Sequence, residues 1–206
     1  MEIKENRSEK DREATELRLL AAVGGIIEEK GFEHVGINAV AAKAGVSKML
    51  IYRYFGSIEE LIAKYIAKND YWINTSTEIP TLDKLSDHLK SMFRNQIKQL
   101  RDNEIINRLS RWELNTTNAI VDELREKREA SGVQRIDAVS KLTGINKDEV
   151  AFIATLITAA LSYLALLEPQ CEVYNGIKIQ TDEGWEKLAK GIDNLIDIWT
   201  TKIKRP

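Results

Sequence analysis

Residues 31–61 read GFEHVGINAVAAKAGVSKMLIYRYFGSIEEL, and the reading of the whole chain turns on them. Ile37, Val40, Ala41 and Ala44 recur at helical spacing, and Gly45 follows where a left-handed residue would end that helix. Ser47 then offers a hydroxyl at the N-cap of a second helix. In that helix Ile51 and Phe55 stand four apart, hence on one face, which turns Lys48, Met49, Tyr52 and Arg53 outward. Two short helices joined by a glycine turn, the second displaying donors and an aromatic, match the arrangement that inserts one helix into the major groove of DNA.

The whole chain carries 30 basic and 32 acidic side chains, a formal charge of -2, so bulk charge does not advertise nucleic acid. Locally the balance changes: no Asp or Glu occurs from His34 through Ser57, whereas Lys43, Lys48 and Arg53 fall inside that window. A face that approaches phosphates needs to be free of carboxylates, because counterion release supplies much of the affinity. A solvated, weakly basic helix pair without a ligand produces the same gap, so charge alone leaves both readings open.

Gly31-Phe32, Val40-Ala41, Ala44-Gly45-Val46-Ser47, Ile51-Tyr52-Arg53-Tyr54-Phe55, Ser57 and Leu61 resemble the N-terminal domain of the tetracycline-repressor (TetR) family, over about the first 65 residues. The resemblance implies an all-α protein in two parts. Residues 1–56 would form a three-helix helix-turn-helix DNA-binding domain, and residues 57–206 a larger helical ligand-binding and dimerisation domain. Arg12–Lys30 would be the first helix, packing through Leu20, Val23, Ile27 and the following Phe32. Ser57 would cap a linking helix through Asn69, with Glu59 and Glu60 in the first turn where the helix dipole favours acids.

By position, the resemblance puts Lys48, Met49 and Leu50 at base edges, Tyr52 and Tyr54 at phosphates and Arg53 near the DNA backbone, with Ser47 heading the same helix. Asn38 would reach a base from the first helix of the pair. Lys48 is suited to guanine O6 and N7, Asn38 to adenine, and Met49 and Leu50 to a thymine methyl. Three positions depart from the family pattern. Gly36-Ile37 stands where Thr or Ser is usual, Met49-Leu50 replaces a small residue followed by Thr or Ser, and Ile58 takes a common Lys position. Together they point to an altered operator preference or lower affinity.

Composition fits this architecture. With 206 residues, 43% hydrophobic and only three prolines, the chain can bury a small head and a larger helical body. No run of about 18 apolar residues is read and the charged N-terminus lacks a signal core, so a soluble cytoplasmic protein without a membrane partner is expected. The single Cys171 reads as a buried or incidental thiol. With two histidines, no Gly-rich phosphate loop and no metal-ligand spacing, the chain reads as neither an enzyme nor a metal or cofactor protein.

Beyond the head, apolar periodicity predicts helices over Leu82–Asp102, Glu104–Glu113, Ala119 toward Leu142, Lys147 or Asp148 to Glu168, and Asp182–Lys202. The segment VAFIATLITAALSYLALLE is apolar nearly all round and is expected to be buried on most sides. Paired with the last helix it would form a homodimer interface through Leu156, Ala160, Trp185, Leu188, Ile192, Leu195 and Trp199; ordinary packing within one chain is the alternative for the tryptophans. Asn175-Gly176 fits a tight hairpin or a plain loop. The C-terminal KIKRP reads as a solvated end.

The resemblance implies an effector cavity among the middle helices, with Met92, Phe93, Gln96, Arg108, Trp112 and Tyr163 as candidate lining residues; simple core positions give the same pattern. The reading that follows is a DNA-binding transcriptional regulator, a repressor released from a palindromic operator in double-stranded DNA by an unknown small-molecule effector. The competing reading is a helical interaction protein whose head serves protein contacts.

Overall fold

The computed structural model describes residues 2–70, 74, 76–201 and 203. Among them are nine α-helices and one two-stranded hairpin, so the expected all-α class holds. They are α1 (Glu2–Lys30), α2 (Ile37–Ala44), α3 (Lys48–Phe55), α4 (Ile58–Asn69), α5 (Leu85–Asp102), α6 (Glu104–Asn115), α7 (Ala119–Thr143), α8 (Lys147–Leu167) and α9 (Asp182–Thr200). The hairpin strands are β1 (Val173–Tyr174) and β2 (Ile177–Lys178). The expected solvated end at Lys202–Pro206 lies, apart from Ile203, outside the described residues.

The chain forms two compact units, one comprising Met1–Asp70 with Arg108–Arg125 and the other Tyr71–Asn107 with Glu126–Pro206. The first unit runs through Asp70, past the boundary expected at residue 56. The reason is α4, whose Leu61, Ile62, Tyr65 and Ile66 are buried and which packs on α1 and α3. The core beneath is built from Leu19, Val23 and Ile27 of α1, Phe32, Val40 and Ile51, joined by Leu109, Val121 and Leu124. Helix α1 begins well before Arg12, the expected start.

Local signals explain the helix ends. Gly45 adopts φ +64°, the left-handed conformation that L side chains resist, and lets its N–H bond back to Ala42 O while Val46 N reaches Ala41 O at 3.0 Å. Ser57 accepts from Glu60 N at 3.0 Å, the bond expected of a cap. Ser47 sits at the N-cap of α3 but makes no side-chain cap bond, contrary to expectation, and Gly36 has no side chain to cap α2.

In the second unit α5 packs on α8 and α9. Leu85, Leu89, Phe93, Ile97 and Leu100 of α5 meet Ile157, Leu161 and Leu164 of α8 and Trp185, Ile196 and Trp199 of α9 in one core. Charge complements this packing, with cations on α5 and acids on α9. Arg94 bonds Glu186 at 2.9 Å and Asp193 at 2.7 Å, Arg101 bonds Asp182 at 2.8 Å, and Lys90 pairs with Asp197. Hydrogen bonding to Glu186 and then Asp193 holds the Arg94 guanidinium charged well above its ordinary range. The Asx-Gly turn settles as a hairpin, Asn175 and Gly176 both having positive φ, with Val173 opposite Lys178 and Tyr174 opposite Ile177.

Helix α8 differs from expectation. Its stretch Lys147–Gln170 contains an 18-residue window of mean hydropathy 2.2 and is by length and composition apolar enough to cross a membrane, a test that core helices also pass. In the protomer only one face is buried, through Val150, Ile157, Leu161, Leu164 and Ala165, while Phe152, Leu156, Ala159, Ala160 and Tyr163 are exposed. The small residues Ala159 and Ala160 interrupt what would otherwise be a uniformly bulky outer face.

Candidate nucleic-acid interface

Helices α2 and α3 hold their shape by burying Val40, Ala41 and Ile51, which leaves the opposite side of α3 to solvent. Asn38, Ser47, Lys48, Met49, Tyr52 and Arg53 are exposed, and Leu50 and Tyr54 half-buried, so the eight residues expected at DNA fall on α3 and the start of α2. Met49 is 72% exposed and Tyr52 54%, an apolar pair that the head displays rather than buries. Among the described residues neither Lys48 nor Arg53 is engaged in an ion pair.

The third cation of this segment is different. Lys43 Nζ lies 2.5 Å from Glu29 Oε1, a bond that holds the Glu29 carboxyl below the usual carboxylate range. The local charge balance of residues 34–57, read from sequence as free of acids, is therefore offset at Lys43 by an acid from α1.

Tyr54 is positioned by groups that periodicity does not reveal. The Arg12 guanidinium of α1 stands 5.3 Å from the Tyr54 ring, and its Nε donates to Glu16 at 2.8 Å. Glu16 also accepts from Lys64 of α4 at 3.2 Å, and Lys64 Nζ lies 5.1 Å over the Phe55 ring. Arg12, Glu16 and Lys64 thus clamp the C-terminal end of α3 between α1 and α4 by charge and by cation–π contact. The i,i+4 spacing of Arg12 and Glu16 is legible in sequence; their link to Lys64 is a matter of tertiary packing.

The residues expected around an effector separate. Met92 and Phe93 line a cavity of about 70 Å³ in the second unit, with Val139, Val150, Ile157 and Trp199 among the other walls. Gln96 is buried with its Nε2 lacking a partner among the described residues, but it is not a wall of that cavity. Nor are Arg108, Trp112 and Tyr163: Trp112 stacks on Phe32 at 5.0 Å, and Tyr163 is exposed, edge-on to Tyr174 at 6.0 Å. The contribution of α8 to the cavity, through Val150, Ile153, Ala154 and Ile157, was not readable in sequence, because these residues lie inside a helix too uniformly apolar to show a face.

The residues expected at a dimer interface separate too. Leu156, Ala160 and Leu195 are exposed and Leu188 and Ile192 half-buried, whereas Trp185 and Trp199 lie in the core of their own unit. Trp185 donates from Nε1 to Ile179 O at 2.7 Å and carries the Arg101 guanidinium 5.3 Å over its ring, which accounts for its burial inside the protomer.

Residues 18–65 match the family model of bacterial regulatory proteins, tetR family. No curated protein matches the chain. The matched span begins within α1 and ends within α4, so it contains α2, the Gly45 turn and α3 entire. The head is thus the N-terminal helix-turn-helix domain of the tetR family, and the chain that carries it is a DNA-binding transcriptional regulator.

Proposed function

We propose that the protein is a homodimeric repressor that acts in the cytoplasm and leaves a palindromic operator when its second unit, residues 71–107 and 126–206, takes up a small molecule. The observation that carries this reading is α3: Lys48 and Arg53 stand exposed beside Met49 and Tyr52, on a segment with no acid from His34 through Ser57. Lys48 addresses guanine, Met49 and Leu50 a thymine methyl, and Asn38 adenine, while Ser47, Tyr52, Arg53 and Tyr54 hold the sugar-phosphate backbone.

Dimerisation is supported by the outer faces of α8 and α9. Phe152, Leu156 and Tyr163 of α8 and Leu195 and Ile198 of α9 are each more than half exposed. Large apolar side chains concentrated on two helices mark a contact surface, and a second copy covers them symmetrically. Two heads related by a two-fold axis then read two half-sites of a palindrome. Release requires the effector to bind the conformation that leaves DNA more tightly than the one that holds it, because a ligand with equal affinity for both shifts nothing.

The test is binding of the purified protein to the DNA upstream of its own gene across a salt series, with Lys48→Ala alongside. Salt-dependent binding that resists competitor DNA and weakens on substitution supports the reading. Binding no tighter than to random DNA counts against it and favours a head used for protein contacts.

A further inference from the structure

Resting on the reading of α3 as the face that meets DNA, we infer that Arg12 of α1 is a further backbone-binding residue, holding a phosphate beside the one that Tyr54 meets. Arg12 and the Glu16 that holds it precede residue 18, where the match to the family begins, so the contact belongs to this chain's own α1. The Arg12 guanidinium stands 5.3 Å from the Tyr54 ring, and Tyr54 lies in the segment without Asp or Glu.

The contacts of Arg12 fix the guanidinium without using up its donors. Nε donates to Glu16 Oε1 at 2.8 Å, while among the described residues nothing bonds Nη1 or Nη2, and the side chain is 57% exposed. The planar fork of a guanidinium matches two oxygens of one phosphate, and holding it against an aromatic ring lowers the cost of ordering it on binding. Glu16 does not cancel the charge, because its other oxygen accepts from Lys64 Nζ at 3.2 Å. Two cations share one carboxylate, which leaves a positive charge in excess beside α3, whereas Glu29 and Lys43 cancel one for one. Asp11 and Glu13 flank Arg12 in sequence, but at 3.6 residues per turn they project about 100° to either side of it.

Phosphate contacts act on any sequence, so the probe is a fluorescent duplex of arbitrary sequence, titrated with the full-length protein over a salt series. Arg12→Gln is expected to weaken binding about three- to tenfold at low salt and to make the log–log salt slope shallower by about one unit per head. Arg12→Lys keeps the charge and loses the fork, so it restores the slope and recovers the affinity only in part. Lys141→Gln removes an exposed cation of α7 in the second unit and controls for net charge; its slope stays at the wild-type value. Melting temperatures of all three variants are read alongside.

An unchanged slope in Arg12→Gln would overturn the assignment, because a residue that only clamps α1 to α3 alters stability and not the number of counterions released. So would a slope that Arg12→Lys fails to restore, or one that Lys141→Gln lowers as much. Arg53→Ala separates this contact from the reading beneath it. If Arg53→Ala lowers the slope and Arg12→Gln does not, α3 meets DNA without Arg12. If neither lowers it, or the wild type binds without salt dependence or not at all, the DNA face itself is misassigned and the Arg12 contact falls with it.

Discussion

The rings of Phe32 and Trp112 stack with centroids 5.0 Å apart and planes 19° from parallel, so the 3-10 turn that leads into α2 is clamped by a helix from far along the chain. Phe32 is 5% exposed and sits in the core of the first unit. Its position in sequence suggested packing against α1; the partner from α6 explains why Arg108–Arg125 belongs to the same compact unit as the head.

Removing Phe32 therefore loosens the head. Phe32→Ala is expected to cost about 3 kcal/mol, as for other buried aromatics. In a double-mutant cycle with Trp112→Ala, followed by urea denaturation, the coupling energy of the pair should be about 1 kcal/mol. Additive effects would show that the stack contributes nothing beyond burial.

Lys48 and Arg53 are expected to fail in different ways. Lys48→Ala should cost about 1–3 kcal/mol at a preferred site and relax discrimination at one base position. Arg53→Ala should weaken binding to all sequences alike and make the log–log salt slope shallower by about one unit per head. Affinity measured on matched and mismatched duplexes over a salt series separates the two.

Leu156→Arg and Leu195→Lys place a charge on the exposed faces of α8 and α9 without touching the core. Each should shift the protein toward monomer in light scattering, with helical content retained, and lower operator affinity through loss of the second head. A dimer unaffected by both changes would place the interface elsewhere.

Glu16 gives the head an acid-side limit. Its carboxyl is held below the ordinary value of 4.5, first by the hydrogen bond from Arg12 and then, against the opposing effect of burial, by Lys64. A depressed acid stabilises the folded state above its unfolded pKa and loses that contribution as pH falls through the folded value. Urea midpoints should therefore drop as the pH falls below the ordinary carboxyl value of 4.5 in the wild type, and less steeply in Glu16→Gln.

Gly184→Ala tests the junction between the hairpin and α9. A Cβ at residue 184 would fall well inside van der Waals contact with the Lys178 carbonyl, a backbone atom that cannot swing away. Overpacking of this kind costs about 1–3 kcal/mol, so a lower melting temperature is expected, and an unchanged one would mean that the hairpin is free to shift.

Much of this architecture is written in short-range signals. The Gly45 stop and the Ser57 cap each act within a few residues, and both are visible in sequence. The exposed face of α3 is equally legible, because Ile51 defines its buried side. The cavity and the outer faces were not. Helix α8 is apolar on every side, so periodicity cannot tell Ile157, which lines the cavity, from Leu156, which meets solvent. The tryptophans of α9 look like interface anchors until the Ile179 carbonyl and Arg101 are brought beside Trp185 by contacts distant in sequence.

The Glu29–Lys43 bond bears on how such a head would travel. With Lys43 already neutralised from within, two cations of the acid-free segment are left to meet phosphates, and a surface with so few releases few counterions on arbitrary DNA. A dimer of the kind proposed would then dwell briefly wherever the bases do not match. Its search for an operator would then proceed more by hopping through solution than by long excursions along the duplex.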